Sequence, residues 1–205
     1  KMYLYPKWIR LWHLINAILV LILIITGISM QYTGKENSAF LVSFARAVKW
    51  HNISALLLVA NYLFFVAGNA FTGNGRYYKM PLKNLFKDIM IQFRYYAYGR
   101  FRGEKHPFPV SLERKFNPLQ KFSYVLAMYV AFPLLIISGF GLLFPETVIN
   151  RFFGVSGLIL TDLLHIAMGF CISVFLLVHI YTCTLGRTIF SHFRSMITGY
   201  QEPDE

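Results

Sequence analysis

Four long apolar runs, at about residues 12–33, 51–71, 120–144 and 156–185, decide what this chain can become. A helix needs ~20 apolar residues to cross the hydrocarbon core of a bilayer, and every run supplies them. Inside lipid the backbone must satisfy its own hydrogen bonds, which an α-helix does within one segment. The expected fold is therefore an all-α membrane protein, with four transmembrane helices in an antiparallel bundle and residues 1–205 forming a single domain. Charge agrees with this reading: only 14% of the residues are charged, against about 25% in soluble domains. A net charge of +11 would raise nucleic acid as a partner of a soluble chain. Here the charges lie between the runs, which points to orientation in membrane lipid and to no nucleic-acid partner. Cys171 and Cys183 share one apolar run with no CxxC or CxxCH around them, which excludes zinc fingers, covalently attached haem and a cysteine-ligated cluster. The run Leu14 to Met30 follows a basic stretch as a signal peptide would, but no small-residue cleavage site comes after it, so it is expected to remain as a helix.

The basic residues orient the helices. Three lie before the first run (Lys1, Lys7, Arg10), eleven between the second and third (Arg76 to Lys121) and two after the fourth (Arg187, Arg194). The other two connections hold only Lys35, Arg46, Lys49 and Arg151. Sixteen against four, read by the positive-inside rule, places both termini and the long segment of about 72–119 in the cytoplasm. Within that segment, Pro81 to Tyr98 mixes Leu85, Phe86, Ile89, Ile91 and Phe93 with Lys83, Lys87 and Arg94, as a helix lying on a membrane surface would. Pro133 falls inside the third run and is expected to kink it.

Four of the six histidines, His13, His51, His165 and His179, lie in or at the ends of these runs, where an ionisable side chain is costly and marks function. In the orientation above, His13 stands near the inner surface, His51 near the outer one, His165 in the outer half of the fourth helix and His179 in its inner half. His165 and His179 are 14 residues apart, about 3.9 helical turns and ~21 Å of rise, so they look out of nearly one face. Two stacked haems need such a ladder, each iron taking one imidazole from the fourth helix and one from a facing helix. The expected pairs are His51 with His165 at the outer site and His13 with His179 at the inner one, holding two b haems. The competing explanation is a haem-free anchor or transporter whose histidines bond to neighbouring helices or relay protons.

Smaller features are ambiguous. Gly27, Gly139, Gly141 and Gly169 could give a macrocycle flat surfaces, or serve close helix packing. Arg10, Arg46 and Lys49 could pair with haem propionates or act as interfacial anchors. Cys171 and Cys183 read as small apolar residues. His106 and His192 read as surface histidines.

Taken together, Arg10-Leu-Trp-His13, Thr26-Gly27, Trp50-His51, Phe116-Asn-Pro-Leu-Gln-Lys121, Ser138-Gly139 and the His165/His179 pair resemble the di-haem cytochrome b subunit of formate dehydrogenase and thiosulfate reductase complexes. That family in turn resembles the hydrogenase cytochrome b, which stands as the alternative. The resemblance implies a multi-pass protein of the bacterial cytoplasmic (inner) membrane and electron exchange with menaquinone or ubiquinone. It also implies an iron–sulfur subunit and a catalytic oxidoreductase subunit on the periplasmic side. On this view the chain itself is an electron-transfer subunit reacting with quinone, and Asn117 and Gln120 line the quinone pocket beside His179. From the residues alone, Asn117 reads as an N-terminal helix cap. Leu119 stands where related chains often carry glycine.

Overall fold

The computed structural model describes residues 1–33, 41–81, 83–186 and 188–201. Four of its helices are long and apolar enough to span a membrane: α1 (Lys7–Gln31), α2 (Phe44–Phe71), α4 (Pro118–Leu143) and α5 (Gly157–Cys183). Between α2 and α4 runs α3 (Leu85–Arg94), and α6 (Ser191–Thr198) follows α5. Short strands β1 (Met2–Tyr3) and β4 (Tyr200–Gln201) pair antiparallel near the two ends of the chain. Strands β2 (Arg151–Phe152) and β3 (Val155–Ser156) form a hairpin between α4 and α5. Its two-residue turn holds Phe153 and Gly154 at positive φ, the backbone a tight hairpin demands.

Two helices begin earlier than their apolar runs. The first turns of α1 carry Lys7 and Arg10, and those of α2 carry Arg46 and Lys49. Charged residues in a helix that extends past the lipid core break the apolar pattern without breaking the helix. His51 therefore lies two turns inside α2 and does not open it. In α4 a π-helical turn at Ala127–Ala131 precedes Phe132 and Pro133. Proline lacks the amide hydrogen of the regular ladder, and a widened turn accommodates that loss.

The chain divides into two compact units. One comprises Leu11–Gly68 and Pro133–Ser173 and contains His13, His51 and His165. Its core is led by Phe65, which is fully buried and stacks on Trp12 at 4.4 Å between ring centres. Asn61 adds a hydrogen bond from its amide to the Trp12 carbonyl at 3.3 Å. Large apolar side chains such as Leu14, Leu21, Leu57 and Leu163 are exposed along these helices, as lipid-facing positions must be.

The other unit comprises Lys1–Arg10, Asn69–Phe132 and Val174–Glu205 and contains His179. Helix α3 packs against the first turns of α4. It exposes Phe86, Met90 and Phe93, spaced as one helical stripe, and fully buries Gln92. Exposing phenylalanine and burying an amide inverts a water-facing helix and suits one lying against lipid. Tyr95 and Tyr96 follow, and His106 lies against both rings at 4.8 and 6.5 Å, so this histidine is half-buried rather than a surface residue.

Lys115 is the buried cation among the described residues of this unit. It is 3% exposed, donates to Asn74 Oδ1 at 3.3 Å, and faces the rings of Tyr5, Tyr77 and Phe116 at 4.7 to 5.6 Å. Asn74 continues to Asn69 at 2.6 Å and Asn69 to the Tyr129 hydroxyl at 3.2 Å, a buried polar chain. Burial pushes the Lys115 pKa down to about 8. Above pH 8 the folded chain therefore holds fewer protons at this site than the unfolded chain does. Stability should rise as pH climbs from 8 toward 10, and the full cost of the buried charge, about 3 kcal/mol, applies below 8. Melting followed by tryptophan fluorescence should show that rise, and Lys115→Met should abolish it while raising the midpoint at pH 7.

Candidate haem site

In the His51 and His165 pair each imidazole is held by a hydroxyl from a neighbouring helix. Thr26 of α1 lies 2.9 Å from His51 Nδ1, and Ser138 of α4 lies 3.0 Å from His165 Nδ1. Both hydroxyls already give their hydrogen to a carbonyl one turn back: Thr26 to Ile22 at 2.7 Å, Ser138 to Leu134 at 2.6 Å. A hydroxyl has one hydrogen to donate, so toward the histidine its oxygen must accept. Nδ1 of each ring therefore carries the proton, and Nε2 keeps its lone pair for a metal.

The glycines that follow these hydroxyls leave room for the rings. A Cβ on Gly139 would stand 3.2 Å from His165 Cε1, and one on Gly27 would stand 3.6 Å from His51 Cε1. At Gly139 that is tighter than an ordinary contact, so the glycine clears the imidazole edge, whereas at Gly27 it is an ordinary van der Waals contact. Gly141 is close-packed, its Cβ position meeting Thr161 and Val148 at 3.1 Å. Gly169, one turn beyond His165, fits the flat-surface reading: a Cβ there would meet nothing within 4 Å.

The rings of His51 and His165 have their centres 6.2 Å apart, inclined at 67°. A metal bonded at ~2 Å to one nitrogen of each ring, with each ring centre about 1.1 Å behind that nitrogen, requires ~6.2 Å. The spacing is that which His51 and His165 would need to hold one haem iron between them. Among the described residues no cluster of three or more His, Cys, Asp or Glu side chains could hold a metal. Two facing imidazoles are the protein ligands that a haem, bringing its own four nitrogens, would need.

In the other unit His179 repeats the pattern more loosely. Tyr124 of α4 places its hydroxyl 3.4 Å from His179 Nδ1, and Phe175 stacks on the ring at 5.7 Å and 10°. The Cys183 thiol lies 3.8 Å from Nε2. Tyr124 and Ser138 are 14 residues apart, as are His179 and His165, so α4 supplies one hydroxyl to each rung of the ladder.

His13 is flanked on α1 by buried polar atoms without partners, Trp12 Nε1 and Asn16 Oδ1. Orphaned atoms of this kind beside an expected ligand are what a polar group of a bound cofactor would satisfy. Arg10 donates from Nη1 to the Ile197 carbonyl while its buried Nε has no partner. Arg46 and Lys49 are exposed. His192 is half-buried, against Gly186.

Asn117 and Gln120 form a reciprocal capping box at the start of α4. Asn117 Oδ1 accepts from the Gln120 amide at 2.9 Å, and Gln120 Oε1 accepts from the Asn117 amide at 3.3 Å. Asn117 also donates to the Tyr96 hydroxyl at 2.8 Å and is 3% exposed. Much of the hydrogen-bonding capacity of both side chains is thereby engaged in capping the N-terminus of α4.

Ser138→Ala tests the hydroxyl's part. Losing the acceptor for Nδ1–H lowers the donor strength of the imidazole, so haem should be held about 10- to 100-fold less tightly. The midpoint potential of the haem held by His51 and His165 should move up, which a spectroscopic redox titration reads.

Four membrane helices with hydroxyl-fixed histidines facing across them define a membrane cytochrome b of electron transport. Residues 4–199 match the prokaryotic cytochrome b561 family, and the chain belongs to that family of b-type haem proteins. It is 38% identical over 200 residues to the cytochrome YdhU of Escherichia coli (strain K12), a match covering 98% of this chain and 74% of that one. It is 23% identical over 224 residues to the Ni/Fe-hydrogenase B-type cytochrome subunit of Cupriavidus necator, covering 97% of this chain and 86% of that one. No solved structure matches the chain significantly.

Proposed function

We propose that this chain is a single cytochrome domain of the bacterial inner membrane, carrying two b haems, that passes electrons between membrane quinone and an iron–sulfur subunit on the periplasmic side. The observation that carries the reading is the His51/His165 pair, 6.2 Å apart, with Nδ1 of each ring tied to Thr26 or Ser138. The inner pair, His13 with His179, rests on the 14-residue ladder of α5 and on the depths of the two residues. His51 and His165 would hold a haem that supplies one-electron transfer, and with both of these ligands histidine no position would be left for oxygen or substrate.

The protein's own contribution is to hold each imidazole in one tautomer, to bury it, and to leave space beside Gly169. Quinol at the inner side gives up two protons and two electrons, the protons returning to the cytoplasm and the electrons passing outward one at a time. The reverse flow would serve an outer enzyme that oxidises its substrate. Asn117 and Gln120 are retained as neighbours of the quinone pocket, by resemblance. Both termini and the segment of about 72–119 are assigned to the cytoplasm on the distribution of Lys and Arg.

The catalytic partner in this reading is a molybdenum oxidoreductase of the thiosulfate reductase or formate dehydrogenase type. The Cupriavidus necator relative, named as a hydrogenase subunit, favours a second reading with a nickel–iron partner, and the identity of the co-purifying subunits separates the two. For the core proposal, the protein purified in detergent should give a reduced b-type α band, two haem equivalents per chain by pyridine haemochrome assay, and reduction by a soluble quinol. A colourless preparation from haem-replete cells would overturn it in favour of the haem-free anchor.

A further inference from the structure

Gln92 poses the sharpest unsolved problem in the unit that contains His179. Its side chain is 0% exposed, and neither its Oε1 nor its Nε2 has a hydrogen-bond partner. Each orphaned polar atom costs about 1–3 kcal/mol, and native chains seldom tolerate two on one side chain without a reason. Local geometry gives no structural excuse. Gln92 lies in the last turn of α3, whose neighbours Phe93 and Met90 face outward, so an apolar residue would fill its place at lower cost.

Its position suggests what the amide awaits. Tyr96, one turn after Gln92 and hence on the same side of the helical path, accepts a hydrogen bond from Asn117 Nδ2 at 2.8 Å. The face that carries Gln92 is therefore turned toward the start of α4. Tyr124, two turns further along α4, reaches His179 Nδ1. In that neighbourhood Asn117 has both polar atoms of its side chain engaged, and Gln120 Oε1 is engaged as well. Gln92 has both of its polar atoms free.

We propose that Gln92 is the carboxamide that receives the quinone headgroup in this protein. The inference rests on the quinone reading above and moves the principal headgroup contact from the capping-box residues to α3. A quinone presents carbonyl oxygens, which accept, and a quinol presents hydroxyls, which also donate. A primary amide offers N–H to the first and C=O to the second. One uncharged, buried side chain can thus hold both redox states, and it need not take up the protons that quinol oxidation releases.

The test uses the haem-loaded protein, with menadiol as soluble quinol and haem reduction as readout. Gln92→Leu removes both orphaned atoms at similar volume. It should keep full haem content, a normal dithionite-reduced spectrum and a thermal midpoint at or above that of the parent. Its KM for menadiol should rise at least tenfold. If Gln92→Leu fails to accumulate, Gln92→Met carries the same expectation. An unchanged KM with haem intact would overturn the proposal, the amide then being satisfied by buried water. If the unsubstituted protein, fully loaded with haem, is reduced by dithionite but by neither menadiol nor a short-chain ubiquinol, the quinone reading itself fails, whatever Gln92 does.

Discussion

His165→Ala should purify with one haem per chain instead of two, and the haem that survives should be the inner one. The substitution removes one of two axial imidazoles from the outer pair and leaves His51 facing a void lined by Ser138 and Gly139. A single imidazole holds b-type haem far less tightly than two, since nothing covalent ties the macrocycle to the chain. His13 and His179 are untouched, so the second α band should persist in the low-temperature spectrum with its own midpoint potential. The void has the size of the ring it lost, and free imidazole added during haem loading should restore part of the missing equivalent. His51→Ala should give the same count and the same surviving spectrum, because the proposed outer site needs both histidines. Two full equivalents in either variant would refute the pairing.

The features that were legible in the sequence are those fixed by solvent and by helical period. Apolar runs of 20 or more residues have one stable answer in lipid, and α1, α2, α4 and α5 follow them. The helix starts were harder to see because Lys7, Arg10, Arg46 and Lys49 belong to turns that emerge from the hydrocarbon, where charge is tolerated. His51 and His165 stand out because an imidazole is rare at such depth. Their partners do not stand out: serine and threonine in a membrane helix usually bond to their own backbone, and Thr26 and Ser138 do that as well. Only the structure shows the same oxygens turned to Nδ1. A periodic signal was nonetheless present, since Tyr124 and Ser138 repeat the 14-residue interval of His165 and His179. The capping box was legible in another way, as asparagine, proline and glutamine in N-cap, N1 and N3 order. Gln92 was hidden because a lone amide in a basic, half-apolar stretch reads as solvent-facing, whereas the fold buries it fully.

In the proposed two-haem arrangement the sites are unequal in function, and His179→Ala exposes the inequality. The variant should again bind one haem, this time the outer one, and dithionite should reduce it fully. Quinol should not: reduction by menadiol is expected to fall to the uncatalysed background. On α5 the two histidines are separated by 14 residues, or ~21 Å of rise, so an electron entering at the cytoplasmic side would have no carrier within the inner half of the membrane. Tyr124 and Phe175, which now fix the ring of His179, would remain as an apolar wall around an empty position. His165→Ala is the mirror case, its inner haem still accepting electrons from quinol but passing none to an acceptor on the outer face. Stopped-flow spectroscopy with quinol on one side of the comparison and dithionite on the other separates the two variants directly. Rapid reduction of the outer haem by quinol in His179→Ala would mean that quinone reacts at the periplasmic face, and the direction of charge movement across the membrane would then be reversed.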